Sequence, residues 1–552
     1  HIYQKRKESH WEMKKVAISL MAWVAALQMN AVPANPKPFT YTQPDGTSVV
    51  LTLVGDEYSH TYIDGQGRAV DIYDDGYVRV VATSGIQYVR QNRVLALDAR
   101  KQKGRNVKMR LSKAATTGEV HGLIILVNFD DLKFTNTKEY IHNQMNTEGF
   151  CENGATGSAR DYFITQSSGQ FSPTFDVVGP VTLDMPYRYY GGNDAKGSDR
   201  HADAMVFSAV QKAVEQGLDL DKYDADSNGI VDMVYVIYAG LGEADGGDKN
   251  TVWPHMWNLQ ASAQFANQQV GGKRIGLYAC SAEYRGDKSF SGIGTFCHEY
   301  GHCLGLPDIY DVDYSGGYGM GCYDIMSSGS YLNNGNTPPN YSGFERYSVG
   351  WMMYDDVTVA GDITLSSIEE SNRAIRLSSP TNPDEYFVLE NRQKEGWDAY
   401  LPARGLMITH IDYDEQIWDN NKVNDIPDHQ HVMMMAADNV WNKSTMSGDL
   451  YPGLLNNTEF MDASIPNSNL WDGKKLGKSV TAIKMEGNNV SFRINIDVSG
   501  IALPNAVSER ECKRIYSIDG MQIPNGYSQN IIINVGKYRK KHGTEGKKRS
   551  FL

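Results

Sequence analysis

Gly294-Thr295-Phe296-Cys297-His298-Glu299-Tyr300-Gly301-His302-Cys303-Leu304-Gly305-Leu306-Pro307-Asp308 is the stretch on which the reading of this 552-residue chain turns. Four residues advance a helix by about 400°, so His298 and His302 project from one face and can share a metal ion through ring nitrogens. Glu299, one position after the first histidine, is placed to polarise a metal-activated water and carry its proton. Gly305 can end the helix in a left-handed turn and Pro307 resists its continuation, so the chain can reverse and return Asp308 as a third ligand. Two imidazoles and one carboxylate favour zinc and leave a fourth position open, as in a catalytic rather than a structural site. Cys297 and Cys303 flank the histidines off the metal-facing stripe and read as buried thiols or disulfide partners.

Upstream of this helix, His121–Asp130 and Ile230–Gly240 are apolar runs of buried-strand character. Asp199–Gln216 carries Ala202, Met205, Val206, Ala209, Val210, Ala213 and Val214 at helical spacing, and a shorter helix is expected around Ser158–Phe163. Helices with mostly buried strands give an α+β class for a domain over 115–357. Before it, Phe39 to Asp98 alternates short β-prone runs with Asp-Gly turns, a small β-rich module. It runs into Ala99–Lys113, a stretch with seven Lys/Arg and no acid that reads as an exposed linker open to proteolysis. After it, strand-rich segments such as Glu385–Glu390, Gly405–Ile411 and Asn489–Ile496 predict a β-sandwich-like module over 358–500. A short unit, 501–552, follows.

The central stretch resembles the M6 (immune inhibitor A-like) family of secreted bacterial zinc metalloproteases, whose pattern HExxHxxGxxD is matched by His298, Glu299, His302, Gly305 and Asp308. The resemblance implies that the two histidines and Asp308 bind zinc and that Glu299 is the general base. Cys322–Gly329 resembles the family's Met-turn, which places Met326 beneath the metal, and the likeness extends through Gly157–Phe163, Phe171–Val177 and Trp253–Trp257. It implies a metzincin-like catalytic domain and a zinc-dependent endopeptidase acting on proteins or peptides. By the same resemblance residues 35–114 are a propeptide-like module and the chain a zymogen. The module holds no cysteine, so a thiolate from it cannot block the metal, whereas Asp56 or a folded plug can. The alternative is a surface protein- or glycan-binding protein on an inactive metalloprotease-like scaffold. His255 reads as a structural histidine between two tryptophans, and Tyr331 as a packing residue or a second electrophile.

Asp224, Asp226, Asn228 and Asp232, with the Ile230 carbonyl, fall at the spacings of a calcium loop, but Tyr235 stands where an EF-hand needs a bidentate Glu. A structural Ca2+ is the expectation there. Asp308, Asp311 and Asp313 also cluster in sequence, and of these only Asp308 is assigned to metal. The 53 Lys+Arg against 66 Asp+Glu give a formal charge of -13, which argues against a nucleic-acid partner. Met13-Lys14-Lys15, the apolar run Val16–Leu27 and the small residues to Ala34 read as a leader and secretory signal over 1–34, hence a secreted or cell-surface protein without transmembrane anchoring. Lys513–Ile523 resembles the start of type IX sorting domains, implying an export partner at the C-terminus, although the basic tail departs from that pattern.

Overall fold

In β6 (Gly118–Asn128) the side chains from Leu123 to Val127 are all buried, and they divide by parity. Ile124 and Leu126 join one apolar cluster while Leu123, Ile125 and Val127 join another, the two-residue period of a strand covered on both faces. β6 lies in a five-stranded sheet ordered β7-β6-β8-β10-β9, with β7 at Phe171–Thr182, β8 at Ile230–Leu241, β9 at His255–Asn258 and β10 at Arg274–Tyr284. All neighbours are parallel except β9, which runs antiparallel to β10 and forms the edge. This is a mixed α/β architecture described by a computed structural model covering residues 30–103 (96–103 by backbone only), 114–194 and 198–497, with the backbone of Ile515–Tyr516 and Gln522–Ile523.

The helices are where the apolar spacings put them. Ala202–Glu215 buries Met205, Val206, Ala209, Val210 and Ala213 on one face of the sheet. Ala159–Gln166 starts with a capping box in which Ser158 Oγ accepts from the Asp161 amide and Asp161 Oδ2 accepts from the Ser158 amide. Gly294–Leu304 packs Phe296, Cys297 and Tyr300 on the sheet's opposite face, against Phe175 and Tyr235.

The amino-terminal module is an antiparallel meander of β1 (Phe39–Thr42), β2 (Ser48–Asp56), β3 (Ser59–Asp64), β4 (Ala69–Ile72) and β5 (Val78–Ala82). A helix, α1 (Gly85–Lys103), follows, and the sequence reading did not contain it. Its mean hydropathy is low and its apolar periodicity weak, so only packing of residues such as Val89 and Arg93 against the meander marks it. The supposed basic linker is therefore helical over its first five residues, and 104–113 lie outside the described residues.

Beyond the central domain, strands at Asp355–Asp356, Ile375–Ser378, Glu385–Arg392, Gly405–Asp412 and Val432–Met434 form one sheet, and Gly361–Leu365, Lys478–Glu486 and Asn489–Ile496 another. The sheets share a core that includes Leu365, Leu377, Phe387, Leu389, Leu406, Ile408, Val480 and Ile494. The other face of the first sheet contributes Val388, Met407, Ile411 and Met434 to the core of the central domain. Buried Arg392 ties the two by donating to Asp398 and to the carbonyls of Tyr323 and Asn340. Ile515–Tyr516 and Gln522–Ile523 pair antiparallel in a separate unit, and residues 1–29 of the signal read over 1–34, with the basic tail, lie outside the described residues. Among the described residues no helix is long and apolar enough to cross a membrane.

Candidate metal centre

Helix α4 is Gly294–Leu304 when α2 denotes Ala159–Gln166 and α3 Ala202–Glu215. It ends as its sequence requires, with Gly305 at φ 99° and the Gly305 and Leu306 amides bonded back to His302 and Gly301. The reversal carries Asp308 to the histidines. His298 Nε2 and His302 Nε2 are 3.1 Å apart, and each is 3.3 Å from Asp308 Oδ1. Bonds of about 2.05 Å to one tetrahedral zinc would separate three ligand atoms by about 3.3 Å, so the triangle has the size that zinc requires. Both histidines use Nδ1 on a backbone carbonyl, Ile325 at 2.7 Å and Leu306 at 2.8 Å, which leaves each Nε2 as a bare lone pair facing the other. Asp308 Oδ1 is buried without a hydrogen-bond partner. Two lone pairs and a carboxylate oxygen converging in a dry site fit a bound cation.

The surroundings fix this triangle. Asp308 is gripped twice by Asn421: its amide donates to Asn421 Oδ1 at 2.7 Å, and Asn421 Nδ2 donates to Oδ2 at 2.7 Å. Met326 is fully buried, and a Cβ placed on Gly301 would come within 2.7 Å of its sulfur, so the helix needs glycine there for the methionine to lie against it. The Met326 carbonyl accepts from the Ile309 amide, joining this floor to the ligand turn. Burial lowers the His298 pKa, while burial would raise that of Asp308 but is outweighed by the two imidazoles, which hold it below the ordinary carboxylate range. Glu299 is fully buried, and desolvation pushes its pKa well up.

A stretch of the chain itself occupies the cleft. Asn30 and Met256 of the edge strand β9 exchange backbone hydrogen bonds of 3.2 and 2.7 Å, forming an antiparallel bridge. The Val32 amide donates to Glu299 Oε1 at 2.9 Å, and Asn30 Nδ2 lies 3.4 Å from His302 Nδ1. The carbonyls of Ala31, Val32 and Pro33 accept from Tyr310 Oη (3.0 Å), Trp253 Nε1 (3.1 Å) and Tyr331 Oη (2.6 Å). Ala31 and Val32 are wholly buried with Ala34, Leu53, Ala244 and Trp253. The meander supports this plug through the Ala34 amide on the Gly55 carbonyl and is itself tied to the central domain by His60 Nε2 on Glu243 at 2.8 Å, while Asn35 Nδ2 of the plug donates to Asp245 at 2.8 Å.

The sequence reading assigned Asn30–Ala34 to the leader; the structure packs them beside the histidines. Of the two blocking devices considered, Asp56 is turned to the buried Arg93 and to its own turn amides, and the plug lies in the cleft. Tyr331 holds a main-chain carbonyl. His255 is internal, with Nδ1 2.7 Å from the Trp253 carbonyl and Nε2 2.9 Å from Tyr278 Oη. The five described cysteines, Cys297 and Cys303 among them, are free thiols. The expected calcium loop does not gather its donors. Asp224 accepts from the amides of Asn228 and Gly229 and from Lys273 Nζ at 2.8 Å, and Asp232 accepts from the Ala225 amide. Asp226 and Asn228 likewise accept from groups of the turn, so side-chain oxygens of Asp224, Asp226, Asn228 and Asp232 are bonded to the lysine ammonium or within the turn. The carboxylates of Asp224, Asp226 and Asp232 are not drawn together around one point, and the Ile230 carbonyl is the remaining donor of the expected set. Asn421, Tyr310 and Trp253 were missed by the sequence reading. Tyr310 had a signal in standing two residues beyond Asp308, and Trp253 in opening the Trp253–Trp257 stretch of the family likeness; Asn421 had none.

Residues 112–353 match the family described as immune inhibitor A peptidase M6, catalytic domain. The chain carries an M6 peptidase domain. It is 24% identical to immune inhibitor A of Bacillus thuringiensis subsp. alesti over 511 residues, 80% of this chain and 72% of that protein. It is 28% identical over 309 residues to the pre-pro-metalloprotease PrtV of Vibrio cholerae serotype O1, 47% of this chain and 33% of that protein. The family and these relatives make the M6 domain one of metalloprotease type, and the match encloses His298, Glu299, His302, Asp308 and Met326.

Proposed function

We propose that the chain is the latent precursor of a secreted, zinc-dependent, metzincin-like endopeptidase. The observation that carries the reading is the triangle of His298 Nε2, His302 Nε2 and Asp308 Oδ1 with Glu299 beside it on the same helix. Zinc held there would supply a Lewis acid and an acidified water. Glu299 takes the proton of the attacking water and returns it to the leaving amine. Strand β9 offers its free edge to an extended substrate, and Tyr310, Trp253 and Tyr331 donate to substrate carbonyls as they donate to Ala31, Val32 and Pro33.

Latency follows from the same contacts. Asn30–Asn35 bridges β9 at Asn30 as a substrate strand would and caps the carboxylate of the base through Val32, while the meander holds it at Gly55. Cleavage within the basic stretch 100–113 would break the covalent tie between this module and the M6 domain. A scaffold that only bound partners would gain nothing from a buried general base with one oxygen unpaired. The test is hydrolysis of a denatured protein by the processed chain. A chelator and Glu299→Gln should each abolish it, with the zinc content of the variant unchanged. Full activity of that variant would remove Glu299 from the mechanism.

A further inference from the structure

Three carboxylates not used by the zinc centre meet at the seam between the M6 domain and the following β-sheets. Asp311 and Asp313 come from the loop after the ligand Asp308, and Asp425 from a loop more than a hundred residues away. One oxygen from each lies within 4.8 Å of the others. Each Oδ1 is buried without a hydrogen-bond partner, and the Asp311 residue is only 7% exposed. Among the described residues no Lys or Arg forms an ion pair with any of the three; of the two cations whose charge reaches Asp425, Arg93 is committed to Asp56 and Lys422 makes no ion pair with it. Like charges so placed repel one another, and the repulsion is relieved either by a proton on one of them or by a cation between them.

The remaining oxygens shape the loops around this point. Asp311 Oδ2 accepts from the amides of Gly316 and Gly317, and the single proton of Ser315 Oγ lies between Asp311 Oδ2 at 3.1 Å and the nearer Asp425 carbonyl at 2.7 Å. The second loop is the one that grips the zinc ligand, since Asn421 holds Asp308 and Asn424 Nδ2 donates to the Ile309 carbonyl at 2.7 Å. All the donors are oxygens, which selects a hard cation. Calcium, with bonds of about 2.4 Å, spans oxygens up to about 4.8 Å apart, whereas magnesium at about 2.1 Å spans about 4.2 Å.

We propose that Asp311, Asp313 and Asp425 form a calcium site that fastens the loop following Asp308 to the loop carrying Asn421, and so holds the third zinc ligand in position. The site stands independently of peptide cleavage; its consequence for zinc rests on the reading of His298, His302 and Asp308 as the zinc ligands. The experiment counts calcium bound to the full-length precursor by equilibrium dialysis against calcium chloride. The double variant Asp313→Asn/Asp425→Asn should bind one calcium fewer than the wild type and lose most of the rise in Tm that calcium gives; an unchanged count would overturn the site. Calcium-soaked wild-type crystals, which need no folded variant, should show an anomalous peak between the three carboxylates, and absence of that peak would also overturn it. Zinc affinity measured by chelator competition should fall at least tenfold when calcium is withdrawn. A normal calcium count with unchanged zinc affinity would leave the site but refute its positioning role.

Discussion

Val32 is the residue on which latency should depend most sharply. Its side chain is fully buried, its amide is bonded to Glu299 and its carbonyl to Trp253. Val32→Ala removes two buried carbons, about 1.6 kcal/mol at ~0.8 kcal/mol each, and the residual cavity brings the loss to about 2 kcal/mol. That corresponds to roughly a 30-fold rise in the fraction of precursor with an open cleft. Val32→Pro also deletes the donor to Glu299, a further ~1.5–3 kcal/mol. The assay is cleavage of an internally quenched peptide by full-length precursor in which the seven Lys/Arg of residues 99–113 are replaced by Ser, so that the plug stays covalently attached. Basal turnover should rise about 30-fold with Val32→Ala and more with Val32→Pro, while the processed enzyme, lacking the plug, is unaffected. Turnover within twofold of the parent precursor in both variants would refute the claim that this segment closes the cleft.

Asn421→Ala removes both hydrogen bonds to Asp308 without touching a ligand. Zinc affinity should fall 10- to 100-fold by chelator competition with the far-ultraviolet spectrum unchanged, and an unaltered affinity would mean that Asn421 does not position Asp308. Asp449 gives a pH signature remote from the metal: burial, and then the charge of Asp438, push its pKa up to about 7. A folded pKa above the unfolded ~3.9 means that the native state holds the proton more tightly, so stability is greatest below about pH 4 and is lost as pH rises towards 7. Three units amount to about 4 kcal/mol, and partial solvent screening halves this to about 2 kcal/mol. Urea melts should therefore show Asp449→Asn stabilised by about 2 kcal/mol at pH 8 and nearly unchanged at pH 4; equal effects at both would exclude the titration.

The amino-acid sequence by itself determined the parts of this protein whose physics is local. Helical spacing set His298 and His302 on one face, the Gly305–Pro307 turn returned Asp308, and the apolar runs and periodicities marked β6, β8 and α3, because each depends on residues within a turn or a strand of one another. The tertiary structure decided what depends on distant residues meeting. Asn421 reaches Asp308, and Asp425 reaches Asp311 and Asp313, only when the β-sheets pack on the M6 domain. Asn30–Asn35 becomes a plug only because the meander delivers it to β9. The loop at 224–232 shows the converse, since its donor spacing matched a calcium loop while Lys273, some forty residues on, takes the oxygen of Asp224. Spacing along the chain can fix which groups share a face, but which charge comes to rest against them is set by packing.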